Sequence, residues 1–206
     1  MPTPAFRFHF HEDGYREKLL AAFYFAYGEF IRQFGQTEST LSYHLEEFLL
    51  QLFGEDRLQK DIFRALLGSR RTPELAKATQ LCLEAAIRAG DPYQESDLEE
   101  VKELFRQVSE VRFLRDRTAH YAIHPEWKRG RPVYFRTLNR YTVNNLEKTE
   151  EILFQIEDLE AATEDLKTIC RRLPRALWLF DHDGLEMRQP WLYNPSRLVR
   201  SPYRDP

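Results

Sequence analysis

A chain of 206 residues that is 42% hydrophobic and 31% charged can bury one sizeable core beneath a well-solvated surface. Its net charge of −3 excludes a whole-molecule attraction for polyanions, so any nucleic-acid contact must come from local clusters of lysine and arginine. Two cysteines, Cys82 and Cys170, with no short metal-type spacing, exclude a disulfide framework and fit buried free thiols in a reducing compartment. Met1-Pro-Thr-Pro-Ala-Phe6 lacks the features of a secretory leader, and no apolar run of about 18 residues is present. A cytoplasmic protein without a membrane span is therefore expected.

Residues 1–14 carry little helical signal and read as an N-terminal arm. From Tyr15 to Phe53, Leu19, Phe23, Ala26, Phe30, Phe34, Leu41, Leu45, Phe48 and Leu52 recur at threes and fours, which predicts a long helix stopping at Gly54. A second helix is predicted from Asp56 to about Leu67, ending at Gly68. Thr72 before Pro73 is a start signal, a capping hydroxyl followed by a proline whose missing N–H costs nothing there. That third helix runs to Ala89 and stops at Gly90. Ser96-Asp-Leu-Glu99 reads as a capping box opening a fourth helix that reaches His120 to Ile123 and closes at Pro125.

The pattern then changes. Trp127-Lys-Arg-Gly-Arg131 reads as a turn and Val133 to Leu138 as a short strand or hairpin arm. A last helix is expected over roughly Thr142 to Leu173, with Leu146, Ile152, Leu153, Ile156, Leu159, Leu166 and Ile169 inward. The predicted fold is all-α: an up-and-down bundle of about five helices, with a short β-hairpin or arm between the last two. The domain spans 15–173. Residues 174–206 hold five prolines together with Trp178, Trp191, Tyr193 and Tyr203, and read as an extended strap or partner-binding arm.

Chemistry concentrates at Arg115-Asp116-Arg117-Thr118-Ala119-His120, in the final turns of the fourth helix. At about 100° per residue, Asp116 and His120 share a face and can hydrogen-bond. A carboxylate beside an imidazole fixes its tautomer and favours its protonated form. Arg115 lies about 140° round the helix from His120, so it must curl toward it or meet a histidine from a second subunit.

Arg115-polar-x-x-x-His120 at the end of a bundle helix resembles the signature of the HEPN superfamily. The likeness extends to the first helix with Phe34-Gly-Gln-Thr-Glu38, the Leu114 to His120 segment, the arm and the closing helix, over residues 15–173. The resemblance implies metal-independent RNA cleavage by a homodimer with a composite active site, as in toxins and antiphage-defence proteins. The RNA 2′-hydroxyl attacks the adjacent phosphate and expels the 5′-oxygen, leaving a 2′,3′-cyclic phosphate and a 5′-hydroxyl. It also implies His120 as general acid/base and Arg115 as the phosphate-holding group. Asp116 stands at the polar position where asparagine is frequent in the family. The alternative is a non-catalytic helical scaffold that binds RNA or a protein partner through the same face.

Lys128, Arg129, Arg131, Arg136 and Arg140 face only Glu126 over residues 125–141, with Trp127, Tyr134 and Phe135 interleaved. This segment either grips phosphates and stacks bases or is a solvated hairpin. Arg117 joins it as an RNA-binding candidate, and an antitoxin or regulatory protein is a possible partner. His120 and His124 stand four apart, but Tyr121 replaces the glutamate of a zinc helix and no third ligand is evident, so neither metal nor cofactor is expected. His9, His11 and Asp181-His182-Asp183 are weaker candidates. Glu38 is placed to pair with Arg115 across the bundle. The run Phe23-Tyr-Phe-Ala-Tyr27 covers more than one helix face, which points to a dimer interface or to burial under the tail.

Overall fold

A computed structural model describes residues 14–52, 72–120, 122–128, 131–138, 150–177 and 190–202. Among these residues the chain is mostly helical. It comprises α1 (Gly14–Leu52), α2 (Thr72–Ala89), α3 (Glu95–His120), β1 (Ala122–Lys128), β2 (Arg131–Leu138), β3 (Glu150–Phe154), α4 (Ile156–Ala176), a 3-10 turn at Pro195–Arg197 and β4 (Val199–Pro202). Four α-helices are thus described where five were expected, and the helix predicted at Asp56 to Leu67 lies outside the described residues. No described helix is long and apolar enough to cross a membrane.

The periodicity of α1 explains why it is one helix: Phe23, Ala26, Phe30, Phe34, Leu41, Leu45 and Phe48 are buried along one stripe. α2 ends at Gly90, whose φ of 85° is a left-handed conformation that side chains with a Cβ resist. The Gly90 N–H donates to the Ile87 carbonyl and that of Asp91 to the Ala86 carbonyl, the paired bonds of a Schellman stop. α3 starts earlier than the expected Ser96 cap. The Gln94 N–H donates to Asp97 Oδ2 at 2.9 Å, so the reciprocal half of the box falls on Gln94 and Asp97. The short 90–94 connection makes α2 and α3 antiparallel neighbours.

The expected closing helix over 142–173 needs a correction. Residues 142–149 lie outside the described residues, 150–154 form strand β3, and the helix begins only at Ile156 and continues to Ala176. Ile152 and Phe154 are buried while Leu153 between them is half-exposed, the period of two that a strand imposes. Gln155 then takes an extended backbone, φ −114° and ψ 170°, and its N–H donates to Asp158 Oδ2 at 2.8 Å. That capping box starts α4 and separates it from the strand.

The expected hairpin is part of a larger sheet. Four strands lie in the order β1-β2-β3-β4, all antiparallel. Pro125 sits within β1, so it does not directly close α3, which ends at His120. In β2, Phe135 and Thr137 point inward, and Phe135 stacks on Phe23 of α1 with ring centroids 3.9 Å apart and planes 17° off parallel. That contact fastens the sheet to the helices.

Among the described residues, two apolar clusters form the interior. One joins Leu45 and Phe48 of α1, Leu83 of α2, Val101 and Leu104 of α3, and Ile169 and Leu173 of α4. The other joins Phe23 and Phe30 of α1, Val111 and Leu114 of α3, Phe135, Ile152 and Phe154 of the sheet, and Leu159 and Leu166 of α4. α1 and α4 are therefore parallel, and α3 runs against both.

Residues 190–202 belong to the second cluster through Tyr193 and Leu198. Asp165 of α4, almost completely buried, accepts hydrogen bonds from the backbone N–H of Leu192 at 3.0 Å and of Tyr193 at 2.9 Å. The Gln107 amide of α3 donates to the same carboxylate at 2.8 Å and to the Tyr193 carbonyl at 3.3 Å. Burial pushes the Asp165 carboxyl above its ordinary pKa, against the pull of these hydrogen bonds. The Trp191 indole donates to Glu103 of α3 at 2.6 Å, and its ring lies 4.9 Å beneath the Arg172 guanidinium, which pairs with Glu100 at 2.6 Å.

Candidate functional site

The candidate motif occupies the last turns of α3, where that helix packs along the middle of α1. Three contacts set the antiparallel register. Arg112 pairs with Glu38, the Arg115 guanidinium lies over the Phe34 ring at 5.5 Å, and the Tyr27 hydroxyl donates to the Thr118 carbonyl at 3.0 Å. Glu38 therefore pairs with Arg112, one turn before the expected Arg115. A three-residue shift turns the azimuth by about 60° and moves about 4.5 Å along the axis, a difference fixed by helix packing and invisible to periodicity.

Arg115 Nη1 donates to Asp116 Oδ1 at 2.8 Å. The arginine side chain is 34% exposed and the aspartate 48%, so solvent and ligands reach both. Phe34 supports one side of the guanidinium, and Asp116 accepts from one of its five N–H donors. Thr118 is buried and returns its hydroxyl to the Leu114 carbonyl at 2.9 Å and the Arg115 carbonyl at 3.2 Å, which steadies the turn.

The carboxylate that the sequence assigns to His120 is thus engaged with Arg115. His120 is the last residue of α3; its side chain, and with it the expected Asp116–His120 hydrogen bond, lies outside the described residues. Arg117 points about 200° round α3 from Arg115, and its guanidinium sits 5.2 Å from the Phe113 ring. Arg115 and Asp116 are brought together, and Arg117 is turned away from them.

Of the basic arm, Arg136 is described in side-chain detail. It is half-buried in β2, directly across from His124 of β1, on the opposite pleat from buried Phe135 and Thr137. His124 therefore lies on a strand, and the helical four-residue spacing proposed for His120 and His124 does not exist. Lys128 and Arg131 have backbone positions paired with each other at the ends of β1 and β2, with side chains outside the described residues. Arg129, Arg140, His9, His11 and Asp181-His182-Asp183 lie wholly outside them. Among the described residues, no group of three or more His, Cys, Asp or Glu side chains is placed to hold a metal ion.

Tyr27 is a functional candidate that the sequence reading passed over. Burial pushes its hydroxyl above the usual tyrosine range, and the nearby Arg115 charge opposes that rise. The aromatic run that contains it reads from the sequence as a surface or interface, and its place beside Arg115 depends on how α1 docks on α3. The run divides as its width implies: Phe23 is buried, Tyr27 is half-buried, and Tyr24 and Phe25 are exposed, Phe25 at 77%. Cys82 and Cys170 are free and half-buried, and burial raises both thiols.

No family model, no curated protein and no solved structure matches this chain.

Proposed function

We propose that this protein is a metal-independent endoribonuclease of the HEPN type, acting as a cytoplasmic homodimer of toxin or antiphage-defence character. The observation that carries the reading is the presentation of Arg115. It is held by Asp116 and backed by Phe34, and it remains half-exposed at the exit of α3, two turns of chain from the basic strands. In the proposed reaction His120 takes the proton from the RNA 2′-hydroxyl. The 2′-oxygen then bonds to phosphorus, the P–O5′ bond breaks, and the departing 5′-oxygen takes back that proton from the His120 imidazolium. Arg115 steadies the negative charge that grows on the phosphate. Lys128, Arg129, Arg131 and Arg136 of the arm contribute phosphate contacts, and an antitoxin or other regulatory protein restrains the enzyme. Exposed Tyr24 and Phe25 support an apolar partner surface on α1, where a second copy would complete a composite centre.

One observation favours a second reading, a non-catalytic scaffold that binds RNA or a protein through the same face. Asp116 offsets the charge of Arg115, and an arginine resting on Phe34 already has a structural role. The discriminating experiment is RNA cleavage in EDTA by wild type, His120→Ala and Arg115→Ala. Each variant should lose about 100-fold or more in rate, and wild-type products should end in 2′,3′-cyclic phosphate. Wild-type protein that leaves varied RNAs intact, alone and with its cellular partners, would sink the enzyme reading.

A further inference from the structure

Between antiparallel α2 and α3 lies a groove of about 480 Å³. Lys77 of α2 and Lys102, Arg106 and Arg112 of α3 line it, and no carboxylate does among the described residues. On a chain of net charge −3, this concentrates four positive side chains on one surface. The carboxylates that pair with these cations sit outside the groove lining. Lys102 binds Glu99, Arg106 binds Glu103 and Glu110, and Arg112 binds Glu38. The Lys102–Glu99 pair is solvent-exposed and readily exchanged for a phosphate, and Lys77 is an exposed cation on the facing helix, while Arg106 and Arg112 are held more firmly by their carboxylates.

The geometry of α3 gives these charges a direction. At about 100° per residue, positions 102, 106, 109, 112 and 116 fall within a sector of about 120°. Lys102, Arg106 and Arg112 are spaced by one to two turns, and the same face continues about 6 Å beyond Arg112 to Asp116, the partner of Arg115. A flexible polyanion laid along the groove would meet cations in succession and arrive at the candidate catalytic turn. The groove floor does not suit a peptide as well. Phe105 and Val108 are 7% and 5% exposed, which leaves little apolar surface for side chains to dock on.

We propose that the α2–α3 groove is a track for the phosphate backbone of single-stranded RNA, leading the strand along α3 toward Arg115. The end point of the track rests on the ribonuclease reading, but binding in the groove does not require cleavage. With phosphates against the cations and bases outward, binding should tolerate sequence and depend strongly on salt.

The test measures binding of a short fluorescent oligouridylate to the full chain in EDTA, in a His120→Ala background so that cleavage cannot intrude. Adding Lys77→Gln, Lys102→Gln and Arg106→Gln together should weaken binding at least about tenfold at physiological salt. The slope of log affinity against log salt should become shallower by about 2, from three phosphate contacts at about 0.7 each. Circular dichroism checks the fold of the triple variant. If it is perturbed, the single exposed change Lys77→Glu decides, with a loss of about threefold or more expected. These losses support the track even if wild type cleaves nothing, in which case only the ribonuclease reading fails. Unchanged affinity and slope would overturn the track. So would failure of the oligouridylate to bind, including the case where polyglutamate occupies the groove instead.

Discussion

Asp165 is the side chain on which the attachment of residues 190–202 most depends. In Asp165→Ala the backbone N–H groups of Leu192 and Tyr193 lose their acceptor, and the buried Gln107 amide keeps only its longer bond to the Tyr193 carbonyl. Each buried donor left without a partner costs about 1–3 kcal/mol. Removing a carboxylate whose charge burial disfavours returns part of that cost, so the net loss should be about 2–4 kcal/mol. Urea unfolding of wild type and variant gives the total. Amide exchange over 190–202 gives its location, with protection at Leu192 and Tyr193 falling more than at Leu45 or Leu83 in the other cluster. A loss below about 0.5 kcal/mol with unchanged exchange at Leu192 and Tyr193 would refute the clamp, because surface changes commonly have effects of that size.

Two further outcomes follow from the packing and the ion pairs. Phe23→Ala removes the ring that stacks on Phe135 and should cost about 3–5 kcal/mol, seen as a lower urea midpoint with early loss of amide protection in β2. A cost under about 1 kcal/mol would mean that this ring does not hold the sheet to the bundle. Glu103 is held down to about 2 from its usual 4.5, first by its hydrogen bond to Arg106 and also by the Trp191 indole. A depressed carboxyl stabilises the fold above its unfolded pKa, and that contribution disappears as pH falls from 4.5 toward 2. Glu103→Gln should therefore flatten the acid limb of the stability curve in that window. The difference should be modest because the side chain is partly exposed, and identical limbs for both proteins would contradict the assignment.

The sequence by itself determined the spans of α1, α2 and α3 to within a residue or two, because burial repeated at threes and fours needs no partner to be recognised. It also located the stop at Gly90, where only the backbone freedom of glycine matters, and the adjacency of Arg115 and Asp116, which are chain neighbours. Ile152-Leu153-Phe154 was different. A short apolar run satisfies a helix and a strand equally, and pairing of Phe135 with Phe154 and of Leu153 with Val199 decided for the strand. Those partners lie far away in sequence, so no local pattern encodes them. The same reasoning applies to the candidate site. Periodicity placed Glu38 and the arginines of α3 on facing surfaces, but the axial shift between helices chose Arg112 over Arg115 and put Tyr27 and Phe34 beside the latter. Charge composition could not reveal the cationic groove either, since it depends on which side chains of α2 and α3 face each other. Local chemistry fixed the elements and the residues of interest, and tertiary packing fixed their partners, because distance between remote residues is a property of docking alone.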